Sequence, residues 1–145
     1  KNGEVRIFKK NELGLGYRTN KLNNDWLFIN ARFNSFPGEK IKIQKLMKEI
    51  IFKRKETQPT GVKTGGSTFK NPKKLTNKKV WELIKESVSL DSNFGDAAIS
   101  QKHSNFLINK GNAKYKDMMN LINYIKKNVH EKTGIKLELE IIIVE

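Results

Sequence analysis

The chain has 145 residues, 37% of them hydrophobic and 9% aromatic, which is typical of one globular domain, or of one domain and part of another. It has no cysteine, which excludes a disulfide framework and a thiolate metal site. It has no secretory signal pattern, and no apolar run approaches the roughly 20 residues that a membrane-spanning helix needs, which suits a cytoplasmic protein. The net charge of +14 indicates either a polyanionic partner or a compositional bias, and we favour the bias because lysine far outnumbers arginine and the lysines are scattered.

The first third of the chain predicts two strands and a helix. Short apolar runs at residues 5–8 and 26–33 predict strands, and the polar, glycine-containing residues 11–24 separate them. Residues 40–55 have the clearest helical periodicity. We expect its apolar stripe to face a core; the stripe consists of Ile43, Leu46, Met47, Ile50 and Ile51.

The middle of the chain predicts an irregular segment and a second helix. Residues 57–74 have no periodicity and concentrate Gly and Pro, and a long irregular segment inside a domain is often functional. A helix follows, with Thr76 or Asn77 as its N-cap. Its predicted inner face consists of Val80, Leu83, Ile84 and Val88. Residues 91–98 are expected to form a loop.

The last third predicts a strand, a helix and a final alternating segment. Residues 105–109 predict the strand, and residues 115–132 predict a helix that ends before Gly134. Its predicted inner face consists of Met118, Leu121, Ile122, Ile125 and Val129. Residues 135–144 alternate, with Leu137, Leu139, Ile141 and Ile143 on one face. Strands and helices intersperse without a strict βα repeat, so we expect an α+β fold.

Three places have side chains suited to chemistry. Glycines before Ser67 allow a ligand to approach the backbone, and Lys70 and Asn71 add hydrogen-bond donors, although the spacing is not that of a Walker A loop. Glu140 is a carboxylate among apolar neighbours, which indicates either a site or a solvated outer face. Arg18, next to Tyr17 in a loop, is by itself a weak signal.

The two histidines do not predict a metal site. His103 and His130 are far apart and lack carboxylate or thiolate companions at ligand spacing. No Ser–His–acid triad can be argued from spacing, since triads are recognised by geometry. The residues alone therefore predict a basic α+β domain with a Gly-Ser loop able to hold an anionic ligand.

Four motifs in register resemble the UDP-N-acetylenolpyruvoylglucosamine reductase (MurB) family. They are GYR at residues 16–18, TQP followed by GGSTFKNP between residues 57 and 72, AAISQKHSNFLIN at residues 97–109, and LELE at residues 137–140. Together they span nearly the whole chain. Departures from the family pattern occur at Asn20, residues 89–94, Lys114 and Glu145, and none of them removes a catalytic position.

The resemblance implies a domain organisation. Members of the family are about twice as long and have three domains, two that bind FAD and a third that closes over the substrate. Residues 1–39 would be the end of the FAD-binding domain and residues 40–145 the substrate-binding domain. The first residue is Lys rather than Met, which agrees with a missing N-terminal part.

The resemblance also implies an activity and its residues. In the family, NADPH reduces the flavin, which passes a hydride to an enolpyruvyl UDP-sugar during peptidoglycan precursor synthesis. Arg18, Ser67 and Glu140 would be catalytic: Ser67 would deliver a proton to an enolate, and the other two would stabilise it. The substrate would be held by Tyr17, Gln58, Lys70, Asn71 and His103. A cytoplasmic monomer that uses FAD and NADPH and binds no metal is expected.

Two alternatives remain at this point. A nonenzymatic basic domain that binds nucleic acid would have a clustered basic face, exposed aromatic side chains and a steep salt dependence. The isolated chain could also be an inert substrate-binding module, since it lacks most of the FAD site.

Overall fold

The computed structural model describes residues 3–23 and 25–144. Lys1, Asn2, Asn24 and Glu145, the last of which is one of the departures named above, lie outside the described residues. The chain divides into two compact units, Lys1–Gly38 and Glu39–Glu145, which are taken separately below. Over the described ranges, no helix combines the length and the apolar character needed to cross a membrane.

The first unit has little regular structure. Both strands expected in it, at residues 5–8 and 26–33, are wrong: the described part of this unit has no strand, and its backbone pairing is an isolated bridge between Gly16 and Thr19. Apolar runs form strands only when a neighbouring strand satisfies their N–H and C=O groups. Many apolar side chains here are exposed accordingly, including Ile7 at 91% and Leu27 at 85%.

The second unit begins with helix α1, Lys40–Thr57. The predicted helix is confirmed, with two more residues at its end, but the expected burial of its apolar stripe is wrong. The five stripe residues are between 47% and 58% exposed, and no residue of α1 is buried. Periodicity identifies an apolar face, whereas burial requires a partner against that face.

A four-stranded antiparallel sheet follows, in the order β1-β4-β3-β2. Its strands are β1 (Lys63–Ser67), β2 (Asn93–Phe94), β3 (Ala97–Ile99) and β4 (Phe106–Asn109). Strand β4 confirms the prediction at residues 105–109. The segment expected to be irregular, 57–74, contains β1. The expected loop at 91–98 contains β2 and the first two residues of β3, so both expectations were wrong in these parts. Strand β1 contains glycines, and β2 and β3 have only two and three residues, so none of them shows the alternation that predicts a strand.

Helix α2, Val80–Ser87, has its N-cap two or three residues later than the expected caps. The N-cap is Lys79, whose own N–H donates to the Glu82 carboxylate at 2.7 Å. The N–H of Val80 donates at 3.0 Å to the Asn71 side-chain oxygen, which is supplied from outside the helix. The predicted caps, Thr76 and Asn77, were therefore wrong, because an amide from the preceding segment satisfies the first turn.

Helix α3, Tyr115–Thr133, confirms the predicted third helix, and Gly134 ends it in the left-handed region at φ +72°. It packs against α2, β2 and β3. The inner faces predicted for both helices are buried, except that Met118 is half-buried. The largest fully buried side chains are Phe69, Leu83, Ile84, Ile99, Leu121, Ile125, Val80 and Val129.

The final residues, 135–144, do not form a continuous strand, but Leu139 pairs with Phe69 in an isolated antiparallel bridge. Their alternation is confirmed, since Leu137 is buried and Leu139 and Ile141 pack against the core, whereas Ile142 is 89% exposed. Helices and an antiparallel sheet around one core confirm the α+β class for the second unit.

Candidate active site

Ser67 is the last residue of β1, half-buried and opposite Phe106 of β4. The register between these strands shifts between Thr64 and Ser67, which indicates a bulge. Gly66 has φ +84°, in the left-handed region that a residue with a Cβ rarely adopts. The glycine therefore sets the direction in which the chain presents Ser67.

The Thr64 hydroxyl holds this bulge in place. It donates to the Leu107 carbonyl at 2.7 Å and accepts from the Gly66 N–H at 3.2 Å. One side chain thus connects the bulge to β4 and satisfies the N–H of the residue before Ser67. A polar side chain that fills both roles restricts the backbone that leads to the serine.

Backbone hydrogen bonds hold the residues after Ser67 on both sides. The Thr68 N–H donates to the Asn105 carbonyl at 2.8 Å, and the Thr68 carbonyl accepts from the Glu140 N–H at 2.8 Å. The Lys70 N–H donates to the Glu138 carbonyl at 2.9 Å. The segment carrying Glu140 therefore lies beside the Gly-Ser loop. The Glu140 side chain is half-buried there.

Lys70 and Asn71 have different surroundings. The Lys70 ammonium lies 3.8 Å from the exposed Glu138 carboxylate, an ion pair that is worth little in solvent. A second anion can therefore compete for this lysine. The Asn71 side-chain oxygen accepts from the Val80 N–H, so this amide supports the start of α2 in addition to any role with a ligand.

His103 lies among aromatic rings. Its ring centroid is 4.9 Å from that of Phe106 and 6.3 Å from that of Trp81. Its Nδ1 accepts the Asn105 N–H at 3.3 Å, which places the proton of the neutral ring on Nε2. Partial burial lowers the pKa of His103 below 6.5, and a backbone hydrogen bond opposes this effect only in part. At neutral pH His103 is therefore an uncharged hydrogen-bonding group.

Gln58 is the residue that ends α1. Its N–H donates to the Arg54 carbonyl at 2.9 Å, and it is half-buried. The adjacent Pro59 is part of the wall of a cavity of about 530 Å³. The cavity also has Lys102 and Lys110 in its wall but neither Ser67 nor Glu140, so this cavity and the serine are separate features.

In the first unit, Tyr17 and Arg18 form a two-residue turn. Two backbone hydrogen bonds between Gly16 and Thr19, of 2.9 and 3.4 Å, close it. Arg18 has φ +59°, and its guanidinium carbon lies 5.8 Å from the centre of the Tyr17 ring. A non-glycine residue in the left-handed region costs conformational energy and is often found at functional sites.

Two residues that hold the site, Thr64 and Asn105, were not singled out from the sequence. Asn105 is buried at 3% exposure, and its side chain bonds to the backbone of Phe69. An amide at the start of an apolar strand was the available signal, since a buried amide requires partners. No group of three or more His, Asp or Glu side chains within residues 3–23 and 25–144 is arranged to hold a metal ion.

Comparison with known proteins identifies one family. Residues 58–144 match the family model described as UDP-N-acetylenolpyruvoylglucosamine reductase, C-terminal domain. The reductase of Pelagibacter ubique is 48% identical over the whole chain and 48% of its own length, and that of Clostridium tetani is 41% identical over 99% of the chain and 46% of its own length. A crystal structure of the enzyme from Thermus caldophilus has a TM-score of 0.79 and 33% identity over 97% of this chain and 48% of its own.

The chain thus spans about half the length of the curated relatives that it matches. These matches favour a reductase over the nucleic-acid-binding alternative.

Proposed function

We propose that this chain, which belongs to the UDP-N-acetylenolpyruvoylglucosamine reductase family, is the C-terminal portion of an enzyme that reduces the enolpyruvyl group of UDP-N-acetylglucosamine enolpyruvate to give UDP-N-acetylmuramate. The observation that carries the proposal is the arrangement around Ser67. A glycine in the left-handed region precedes the serine, and the residue after the serine is hydrogen-bonded to the backbone of Glu140. The proposed role is in peptidoglycan precursor synthesis, and so in cell wall formation, cell shape and division.

In this proposal Ser67 donates the proton. A hydroxyl is a weak acid in water, so it requires a basic acceptor and a fixed position. An enolate carbon is basic enough, and the bulge at Gly66 together with the hydrogen bonds of Thr68 restricts the backbone on both sides of Ser67. The backbone therefore presents the Ser67 side chain from a fixed direction.

Glu140 and Arg18 would act on the charge that develops on the substrate carboxylate. A permanent guanidinium close to developing negative charge stabilises it strongly in a site from which water is excluded. The left-handed backbone of Arg18 supports this role, because such a conformation is retained at a cost. Glu140 would assist as a hydrogen-bond partner, held next to the Gly-Ser loop by its N–H.

The remaining proposed residues would bind the substrate. Lys70, whose ion pair with Glu138 is exposed, can exchange that partner for a diphosphate oxygen. His103 is neutral at pH 7 and offers a hydrogen bond without adding charge. Gln58 and Asn71 add amide groups, and Tyr17 would lie near the reactive end of the substrate.

FAD and NADPH belong to the proposal as cofactors of the whole enzyme. The cavity at Pro59 and a second of about 310 Å³ in the second unit have no Phe, Tyr or Trp in their walls and include neither Ser67 nor Glu140, so neither of these two cavities fits a flavin site. We therefore assign no step through the flavin to this chain; when bound elsewhere in the enzyme it would supply the hydride.

The proposed domain division places residues 1–39 with the flavin-binding part and residues 40–145 with the substrate. The division of the chain into compact units after Gly38 supports it. We also propose that the complete enzyme is a cytoplasmic monomer that requires no metal and binds no nucleic acid.

The test uses the two half-reactions of the full-length enzyme. In Ser67→Ala, reduction of the flavin by NADPH should keep its rate, whereas reoxidation by the enolpyruvyl substrate should slow by about 10²–10⁴-fold, because a general acid has been removed. Ser104→Ala is the matched control, since that buried hydroxyl bonds to the Trp81 carbonyl instead. Equal loss in both half-reactions would mean that Ser67 holds the flavin, and normal reoxidation would exclude Ser67 as the donor.

A further inference from the structure

The side chain of Asn105 is paired with the backbone of one residue near the candidate site. Its Oδ1 accepts the Phe69 N–H at 2.9 Å, and its Nδ2 donates to the Phe69 carbonyl at 2.9 Å. Both residues are buried, Asn105 at 3% and Phe69 at 0% exposure. Water therefore cannot replace either bond in the native chain, and an unpaired N–H or C=O group there would be costly.

This pairing adds to the backbone contacts that already hold the segment after Ser67. The Asn105 carbonyl accepts from the Thr68 N–H at 2.8 Å, so one asparagine satisfies two successive N–H groups and one carbonyl. On its other side, Thr68 is bonded to Glu140. Asn105, the residue before β4, consequently connects the start of this strand to Thr68 and Phe69, the two residues that follow Ser67.

We infer that Asn105 is a positioning residue that acts through Ser67, an inference that rests on the proposed role of Ser67 as proton donor. Its amide fixes Phe69, two residues after the serine, and Thr64 fixes the bulge before it. With both ends held, the backbone of Ser67 keeps one position relative to the backbone of Glu140, and the hydroxyl is presented from there. Asparagine can pair with both the N–H and the carbonyl of Phe69 because its side chain has a donor and an acceptor in one plane.

A purely structural role is the alternative reading, and the neighbouring Ser104 illustrates it. Ser104 is buried at 4% exposure, and its hydroxyl donates to the Trp81 carbonyl of α2 at 2.6 Å. This bond secures a helix and touches neither Ser67 nor the segment after it. The two adjacent residues therefore form a matched pair, one bonded to the site and one bonded to the scaffold.

The first measurement is backbone hydrogen exchange in the 145-residue chain. Asn105→Ala should accelerate exchange of the Phe69 N–H by about tenfold relative to core amides of α3, since one hydrogen bond is lost. Asn105→Asp is the second variant. Its carboxylate lacks the donor, whereas its protonated form has both a donor and an acceptor in nearly the same shape, so protection of Phe69 should recover as the pH falls. Unchanged Phe69 exchange in both variants would overturn the inference.

The second measurement is substrate-driven flavin reoxidation in the full-length enzyme. Asn105→Asp should slow reoxidation by about 10²-fold at neutral pH, as expected for a misplaced reacting group, and leave reduction by NADPH unchanged. The defect should shrink as the pH falls, whereas that of Asn105→Ala should not. In the Ser67→Ala background, Asn105→Asp should add less than about a twofold effect, because a residue that acts through a missing group has nothing further to change.

The outcomes separate the inference from the proposed function. If Asn105→Asp costs the same with and without Ser67, or slows both half-reactions alike, Asn105 does not act through the serine and the inference is overturned. Ser104→Ala should leave both half-reactions unchanged, and a loss there equal to that of Asn105→Asp would likewise indicate a scaffold effect. If Ser67→Ala itself reoxidises normally, Ser67 is not the proton donor and the inference falls with that role, whatever the Phe69 exchange shows. The proposed function fails only if the full-length enzyme is not reoxidised by the enolpyruvyl substrate at all.

Discussion

Replacing isoleucine by alanine at Ile50 of α1 and at Ile125 of α3 makes the same chemical change at an exposed and at a buried position. Ile125 is fully buried at 0% exposure, and Ile50 is 58% exposed on the apolar stripe of α1. Truncating a fully buried isoleucine removes its transfer free energy and leaves a cavity, which costs about 2–5 kcal/mol. For a domain of this size, that loss lowers the melting temperature by about 5–15 °C.

Ile50→Ala should cost far less. More than half of that side chain is already in solvent, so only a minor part of its burial is lost. Alanine also has a higher helix propensity than isoleucine, which offsets a few tenths of a kcal/mol. We expect a net change within about 0.5 kcal/mol, as is usual for surface positions.

The assay is urea unfolding of the 145-residue chain, followed by circular dichroism, with thermal melts as a second measure. Comparable destabilisation by the two substitutions would contradict this prediction and would mean that the stripe of α1 is packed against a partner in solution. A changed slope of the free energy with urea concentration would identify an effect on compactness instead of on the contact itself.

Three further predictions test the site and its cofactor. Gly66→Ala should destabilise the chain by about 1–2 kcal/mol in urea unfolding, because its φ of +84° disfavours a residue with a Cβ, although no atom lies within 4 Å of where that Cβ would be. Gly65→Ala should cost less, since its Cβ would meet Ile141 at an ordinary contact distance of 3.6 Å. Since the pKa of His103 is lowered on folding, the unfolded chain binds more protons than the folded chain just below pH 6.5. The contribution of His103 to stability should therefore be lost as the pH falls through 6.5 towards the folded pKa. His103→Gln should flatten that part of the curve of stability against pH. The purified 145-residue chain should bind no FAD tightly, and near-stoichiometric flavin absorbance in a sample of verified mass would contradict this.

Local sequence patterns were enough to predict the helices and strands whose own residues show a regular apolar spacing and a stop signal. Helix α3 was predictable because its apolar spacing is regular and Gly134 stops it, and β4 because an apolar run precedes a polar turn. Strand β1 was not predictable, since Thr64, Gly65 and Gly66 show no alternation. The strand pairs, through Lys63, Thr64 and Ser67, only because β4 lies beside it. The start of α2 depends on Asn71, nine residues before Val80, which no local capping rule anticipates.

The amino-acid sequence was sufficient to predict the α+β class, the family and the residues proposed for the chemistry, because motifs such as GGSTFKNP are contiguous in the chain. Which of these residues lie close together depends on the tertiary fold. The hydrogen bond from the Glu140 N–H to Thr68 joins residues more than seventy positions apart, and Asn105 reaches Phe69 across 36 positions. Such contacts arise when the core closes and every buried polar group must find a partner, a condition on the whole fold that no stretch of sequence contains. The same condition left the stripe of α1 exposed, since an apolar face is buried only where another element covers it.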